Sequence, residues 1–65
     1  MTGISIVNYT LQDYYITLRV SDNGHTSYEI RMDQVETKPV SRGYAVSEKE
    51  AREIVKKVVR KLDNS

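Results

Sequence analysis

The chain has 65 residues, with ten basic and nine acidic side chains, five tyrosines, one histidine and no cysteine. A chain this short forms one domain, 1–65, and buries only about 60% of its unfolded surface, so its thin core needs very regular packing or a partner. Without cysteine there is no disulfide or thiolate metal site, the single His25 cannot build a zinc site, and no apolar run approaches the roughly 18 residues of a membrane span.

The start, Met1-Thr2-Gly3-Ile4, shows no basic region ahead of an apolar stretch, so no signal peptide is expected. With no cysteine, this favours a reducing cytoplasm, of a cell or of an infected host.

Residues 4–10, Ile-Ser-Ile-Val-Asn-Tyr-Thr, are β-branched and aromatic enough for a strand. Ile4 and Ile6 point one way and Val7 and Tyr9 the other. Leu11-Gln12-Asp13 reads as a short turn. Residues 14–20 alternate cleanly, with Tyr14, Ile16, Leu18 and Val20 against Tyr15, Thr17 and Arg19. Residues 26–32 alternate again, with Tyr28, Ile30 and Met32 against Ser27, Glu29 and Arg31.

The register of this hairpin follows from its turn. A two-residue Asn23-Gly24 loop would pair Leu18 with Glu29 and place a carboxylate on the apolar face. A three-residue loop, Asp22-Asn23-Gly24, pairs Leu18 with Tyr28, Ile16 with Ile30, Tyr14 with Met32, Thr17 with Glu29 and Tyr15 with Arg31. Gly24 falls where such a loop needs a left-handed residue. A slip of one residue would invert every side chain, so the three-residue loop is expected.

Residues 33–43 carry Pro39 and Gly43 and no sustained period. They read as a long connection, with a short extended piece at Gly43-Tyr44-Ala45-Val46. Ser47-Glu48-Lys49-Glu50 is a capping box, with Val46 and Ala51 placed as a weak hydrophobic staple. Ala51, Ile54, Val55, Val58, Val59 and Leu62 then form one helical stripe. The expected fold is α+β: a three-stranded antiparallel sheet (4–10, 14–20, 26–32) with one C-terminal amphipathic helix (48–62) on one face.

No nucleophile motif, glycine-rich phosphate loop or metal-ligand spacing appears, and no cofactor is expected. His25 lies in a turn without an evident orienting partner. Asp22 is near it, but turn aspartates usually bond their own backbone. The expectation is a protein without catalytic or metal residues.

Charge is unevenly placed: residues 1–32 sum to −1, 33–46 to zero and 47–65 to +2. Glu48, Glu50 and Glu53 come early in the helix and Lys56, Lys57, Arg60 and Lys61 late. That order matches the helix dipole, and Glu53 to Lys57 is a favoured ion-pair spacing. The four late residues also offer a secondary basic ridge for phosphates or an acidic surface.

One helix covers one face of the sheet. If Ile4 and Ile6 point inward, the open face carries Tyr9, Tyr15, Thr17, Arg19 and Arg31, with Val7. Tyrosine and arginine are enriched at interfaces, so these five are the candidate partner-binding residues. Tyrosine and threonine also stand on solvated faces simply for β-propensity.

The order of strands, hairpin turn and strand, then Ser47-x-x-Glu50-Ala51 opening a basic amphipathic helix, resembles the arm-type DNA-binding βββα domains of phage and transposon integrases. That resemblance implies a sheet laid in the major groove through Tyr15, Thr17, Arg19, Ser27 and Arg31. Being short, cysteine-free, charged and without a catalytic motif, the chain is also similar in kind to small phage-encoded anti-defence proteins, anti-CRISPR proteins among them. That likeness implies a stoichiometric inhibitor of a host nucleic-acid-handling complex. The leading expectation is a non-enzymatic protein-binding module. The alternative is a small DNA-binding domain using the sheet face or the basic ridge. A homodimer through the open face is a third, and no membrane partner is expected.

Overall fold

The computed structural model describes residues 3–32 and 38–64. Its elements are β1 Ser5–Leu11, β2 Tyr14–Val20, β3 Thr26–Arg31, β4 Ser41–Ala45 and α1 Glu48–Asp63. The strands form one antiparallel meander in the order β1-β2-β3-β4. The fold is thus α+β with one C-terminal helix, as expected, but the sheet has four strands rather than three.

The fourth strand is the extended piece after Pro39, begun earlier and ended earlier than the sequence suggests. Gly43 is what lets it pair. It stands opposite Tyr28, and a Cβ there would lie 2.5 Å from the Tyr28 hydroxyl oxygen and 2.7 Å from Cζ. The ring fills the space that a side chain would take, and Tyr28 is thereby buried. Residues 33–37 of the expected long connection lie outside the described residues.

The β2–β3 register matches the three-residue loop: Leu18 faces Tyr28, Ile16 faces Ile30, Thr17 faces Glu29 and Tyr15 faces Arg31. Gly24 takes φ 91°, and Ser21 N–H bonds to the His25 carbonyl to close the loop. Asn23 Oδ1 accepts from His25 N–H at 3.1 Å, and the buried Thr26 hydroxyl donates to the Gly24 carbonyl at 2.9 Å. Asp22 does not bond its own turn. Both its carboxylate oxygens accept from Gly3 N–H at 3.0 Å, which ties the start of β1 to this loop. The Tyr14–Met32 pair does not form: β3 ends at Arg31, and Met32 is 60% exposed.

The first hairpin departs from the sequence reading. Its loop is two residues, Gln12-Asp13, closed by Leu11 opposite Tyr14. Val7 therefore faces Leu18 and Tyr9 faces Ile16, so Val7, Tyr9 and Leu11 pack on the core. Ile4 and Ile6 are 66% and 59% exposed. Of the two phases that the alternation leaves open, the one with Ile4 and Ile6 inward, on which the placement of Tyr9 on the open face depended, does not form; one residue of turn length decides between them. The phase that forms gives the core two large aliphatics and an aromatic ring. The opposite phase would have turned Asn8 and Thr10 inward. Gln12 bears the cost, with φ 58° in the left-handed region.

The helix runs one residue beyond the expected end. Ser47 is its N-cap, and its hydroxyl accepts from Glu50 N–H at 3.2 Å. Ala51, Val55 and Val59 are fully buried against Ile16, Leu18, Tyr28, Ile30 and Ala45, with Ile54, Val58 and Leu62 along the flanks. The expected stripe is thus the packed face. The expected Val46 staple is not made, since Val46 is 65% exposed. Among the described residues the helical ion pair is Glu48–Arg52 rather than Glu53–Lys57. The helix lies over β2, β3 and β4 and barely reaches β1.

Candidate functional site

The strand pairings place Ile6, Asn8 and Thr10 of β1, Tyr15, Thr17 and Arg19 of β2, Ser27, Glu29 and Arg31 of β3, and Arg42 and Tyr44 of β4 on one face. This is the face away from the helix. Four of the five candidates from the sequence, Tyr15, Thr17, Arg19 and Arg31, stand on it. Tyr9 does not: the phase of β1 carries it to the helix side, where Arg52 Cζ lies 5.1 Å from its ring centroid. Burial raises the Tyr9 pKa above the ordinary tyrosine value. Arg52 beside it works in the opposite direction, and Glu48 adds slightly to the rise.

Thr17 also offers no surface. It is 8% exposed, because Arg31 and Asn8 close over it. Arg31 Nη2 donates to Thr17 Oγ1 at 3.0 Å, and that hydroxyl donates to Asn8 Oδ1 at 2.9 Å. The relay links β3, β2 and β1 and holds the Arg31 guanidinium against the sheet. Arg31 Nε is buried without a hydrogen-bond partner. Arg19 pairs with Glu29 across the strands, with the arginine half in solvent. An exposed pair of this kind adds little stability but fixes where the guanidinium points.

The residues that the sequence reading missed lie at the β4 end. Arg42 stands opposite Glu29 and is exposed, and Tyr44, opposite Ser27, is 87% exposed. With Arg19 and Arg31, Arg42 gives the face three arginines against one glutamate, a net +2. The two aspartates that made the N-terminal half acidic, Asp13 and Asp22, sit in turns. Beside Tyr44 lies an open cleft of about 600 Å³ whose lining includes Ile4, Arg19, His25, Tyr44 and Val46. Ile4, Tyr44 and Val46 are each more than half exposed, and all three line this cleft; Ile6, also more than half exposed, stands on the same face across Arg19 and Ser27 from Tyr44. A signal for this patch existed in Gly43-Tyr44-Ala45-Val46, which alternates once Gly43 is known to be covered by Tyr28.

The late-helix residues Lys56, Lys57, Arg60 and Lys61 are all exposed. Lys56 and Arg60 flank a groove by the first turn, beside Leu11 and Gln12. They stand on the helix, which packs on the other face of the sheet from Tyr44 and Arg42. The sheet face and the basic ridge are therefore two separate surfaces. Among the described residues, no three histidine, aspartate or glutamate side chains converge as a metal site, and no helix is long and apolar enough to cross a membrane.

The chain matches no protein-family model, no curated protein and no solved structure.

Proposed function

We propose that this protein is a non-catalytic binding module whose open sheet face docks a protein partner with an acidic, partly apolar surface. The observation that carries this reading is the cluster of Ile4, Tyr44 and Val46 around one cleft, 65–87% exposed, bordered by arginines on the same face. Contiguous apolar side chains held in water mark interaction sites rather than inert surface. A central aromatic and aliphatic patch with arginine around it is how protein interfaces are built. The net +2 of the face selects for acid on the partner. The narrower reading, a stoichiometric inhibitor of a nucleic-acid-handling complex, uses the same surface and adds only the class of target.

Nucleic acid is the second reading, favoured by the three arginines and by Tyr15 and Tyr44 as stacking platforms. The aliphatic part of the patch weighs against it, since isoleucine and valine give phosphates nothing. The two readings separate by salt and by competition. Three phosphate contacts give a log–log salt slope of about −2.7, and excess DNA would displace the bound ligand. A partner held through the apolar patch survives both challenges. Capture from the native host with wild-type protein, and with an Arg42→Ala/Tyr44→Ala variant, tests the reading. A protein retained by the first and lost by the second supports it. Equal retention on both, or a ligand removed by nuclease, overturns it.

A further inference from the structure

The sheet has two edges of different character. β4 is five residues long and carries Arg42 and Gly43. β1 is seven residues long, and from Gly3 to Gln12 there is no charged side chain and no proline. Its pairing with β2 is continuous, without a bulge. Lysine, proline, bulges and short length are the devices that keep edges from pairing with other chains, and β1 has none of them.

The strand pairing fixes which way its free backbone groups point. Ser21 N–H bonds to His25, so Arg19, Thr17 and Tyr15 turn their backbone toward β3, and the residues between them toward β1. Their partners Ser5, Val7, Tyr9 and Leu11 are then bonded inward. Ile6, Asn8 and Thr10 turn N–H and C=O to the open edge.

We propose that β1 pairs antiparallel with β1 of a second copy about a two-fold axis at Asn8, joining two four-stranded sheets into one of eight. The second copy is the occupant because the strand is complementary to itself. Only the axis at Asn8 overlaps all seven residues, and it uses the outward-facing amides of Ile6, Asn8 and Thr10. It sets Val7 against Tyr9 of the other copy twice over, an aromatic with a β-branched residue, which is a favoured cross-strand pair. Those two lie on the helix side, which the helix leaves half covered at β1, so each copy supplies floor for the other. No like charges meet in this pairing, and the contact is isologous and closes at two copies. This inference stands apart from the open-face reading, because its readout is mass rather than partner binding.

Sedimentation equilibrium over a wide concentration range tests it. The wild-type mass is expected to double with concentration. The pairing sets residue 6 opposite residue 10 of the other copy. Ile6→Glu/Thr10→Glu therefore opposes carboxylates twice and abolishes the doubling, while Ile6→Glu/Thr10→Lys opposes unlike charges and restores it. Both positions are exposed, so both variants keep the wild-type circular dichroism spectrum. A wild-type chain that stays at single mass at every concentration overturns the proposal, even if a partner's strand is later found on the same edge. So does a folded Glu/Glu variant that still doubles.

Discussion

The two faces of the one sheet divide the work of the chain. Toward the helix, Ile16, Leu18 and Ile30 are at most 1% exposed and meet Ala51, Val55 and Val59, all apolar and in register with the helical stripe. Away from it the same strands carry arginine, tyrosine, threonine and glutamate, joined by a hydrogen-bond relay and one ion pair. The difference teaches that burial on the open face means something else. Thr17 is as buried as a core residue, yet what covers it is polar and serves to orient Arg31. Stability is concentrated on the first face and the proposed recognition on the second, so substitutions should separate along that line.

The largest loss is expected at the centre of the helix face. Leu18→Ala should cost about 2–5 kcal/mol, measured by urea denaturation, a large share of the few kcal/mol that a chain this small has. Gly43→Ala comes next. The added methyl displaces the Tyr28 ring, and the expected loss is about 1–3 kcal/mol, with β4 losing amide protection in hydrogen exchange first. Gln12→Gly should act in the opposite direction. It relieves the left-handed backbone at φ 58° in the β1–β2 turn and raises stability by about 0.5–1 kcal/mol.

The smallest effect is electrostatic. Burial raises the Tyr9 pKa in the folded chain, so the stabilisation is fully present below the ordinary tyrosine value near 10 and is lost as pH rises through the folded value. Ultraviolet titration of the wild type should show a step above the ordinary tyrosine value that Tyr9→Phe removes.

The hairpins show why some of this was legible in sequence and some was not. Asp22-Asn23-Gly24 announces its loop, because glycine marks the left-handed position and a carboxylate penalises the alternative register. The β1–β2 turn places Gln12 in that same backbone region, and nothing in the sequence marks it. The alternation of β1 therefore leaves its phase open, and the condition that puts Tyr9 on the open face is the one that the structure does not meet. The fourth strand was obscured for a related reason. Glycine at 43 reads as a break until the Tyr28 ring, fifteen residues earlier, is seen to occupy its missing side chain. Periodicity located the helix and its packed stripe almost to the residue, because that signal is local. The Ile4–Tyr44 patch depends on which strands become neighbours, and it emerged only from the assembled sheet.

The division between faces is tested most directly at Arg42 and Tyr44, which contribute to the open face and to little else. The measurement is the ratio of partner retention to folding stability for Arg42→Ala/Tyr44→Ala against wild type. The account predicts unfolding free energies within about 0.5 kcal/mol of each other, as for surface substitutions, with retention of the partner lost. A variant that unfolds early, or one that is native and still holds the same partner in full, would contradict it.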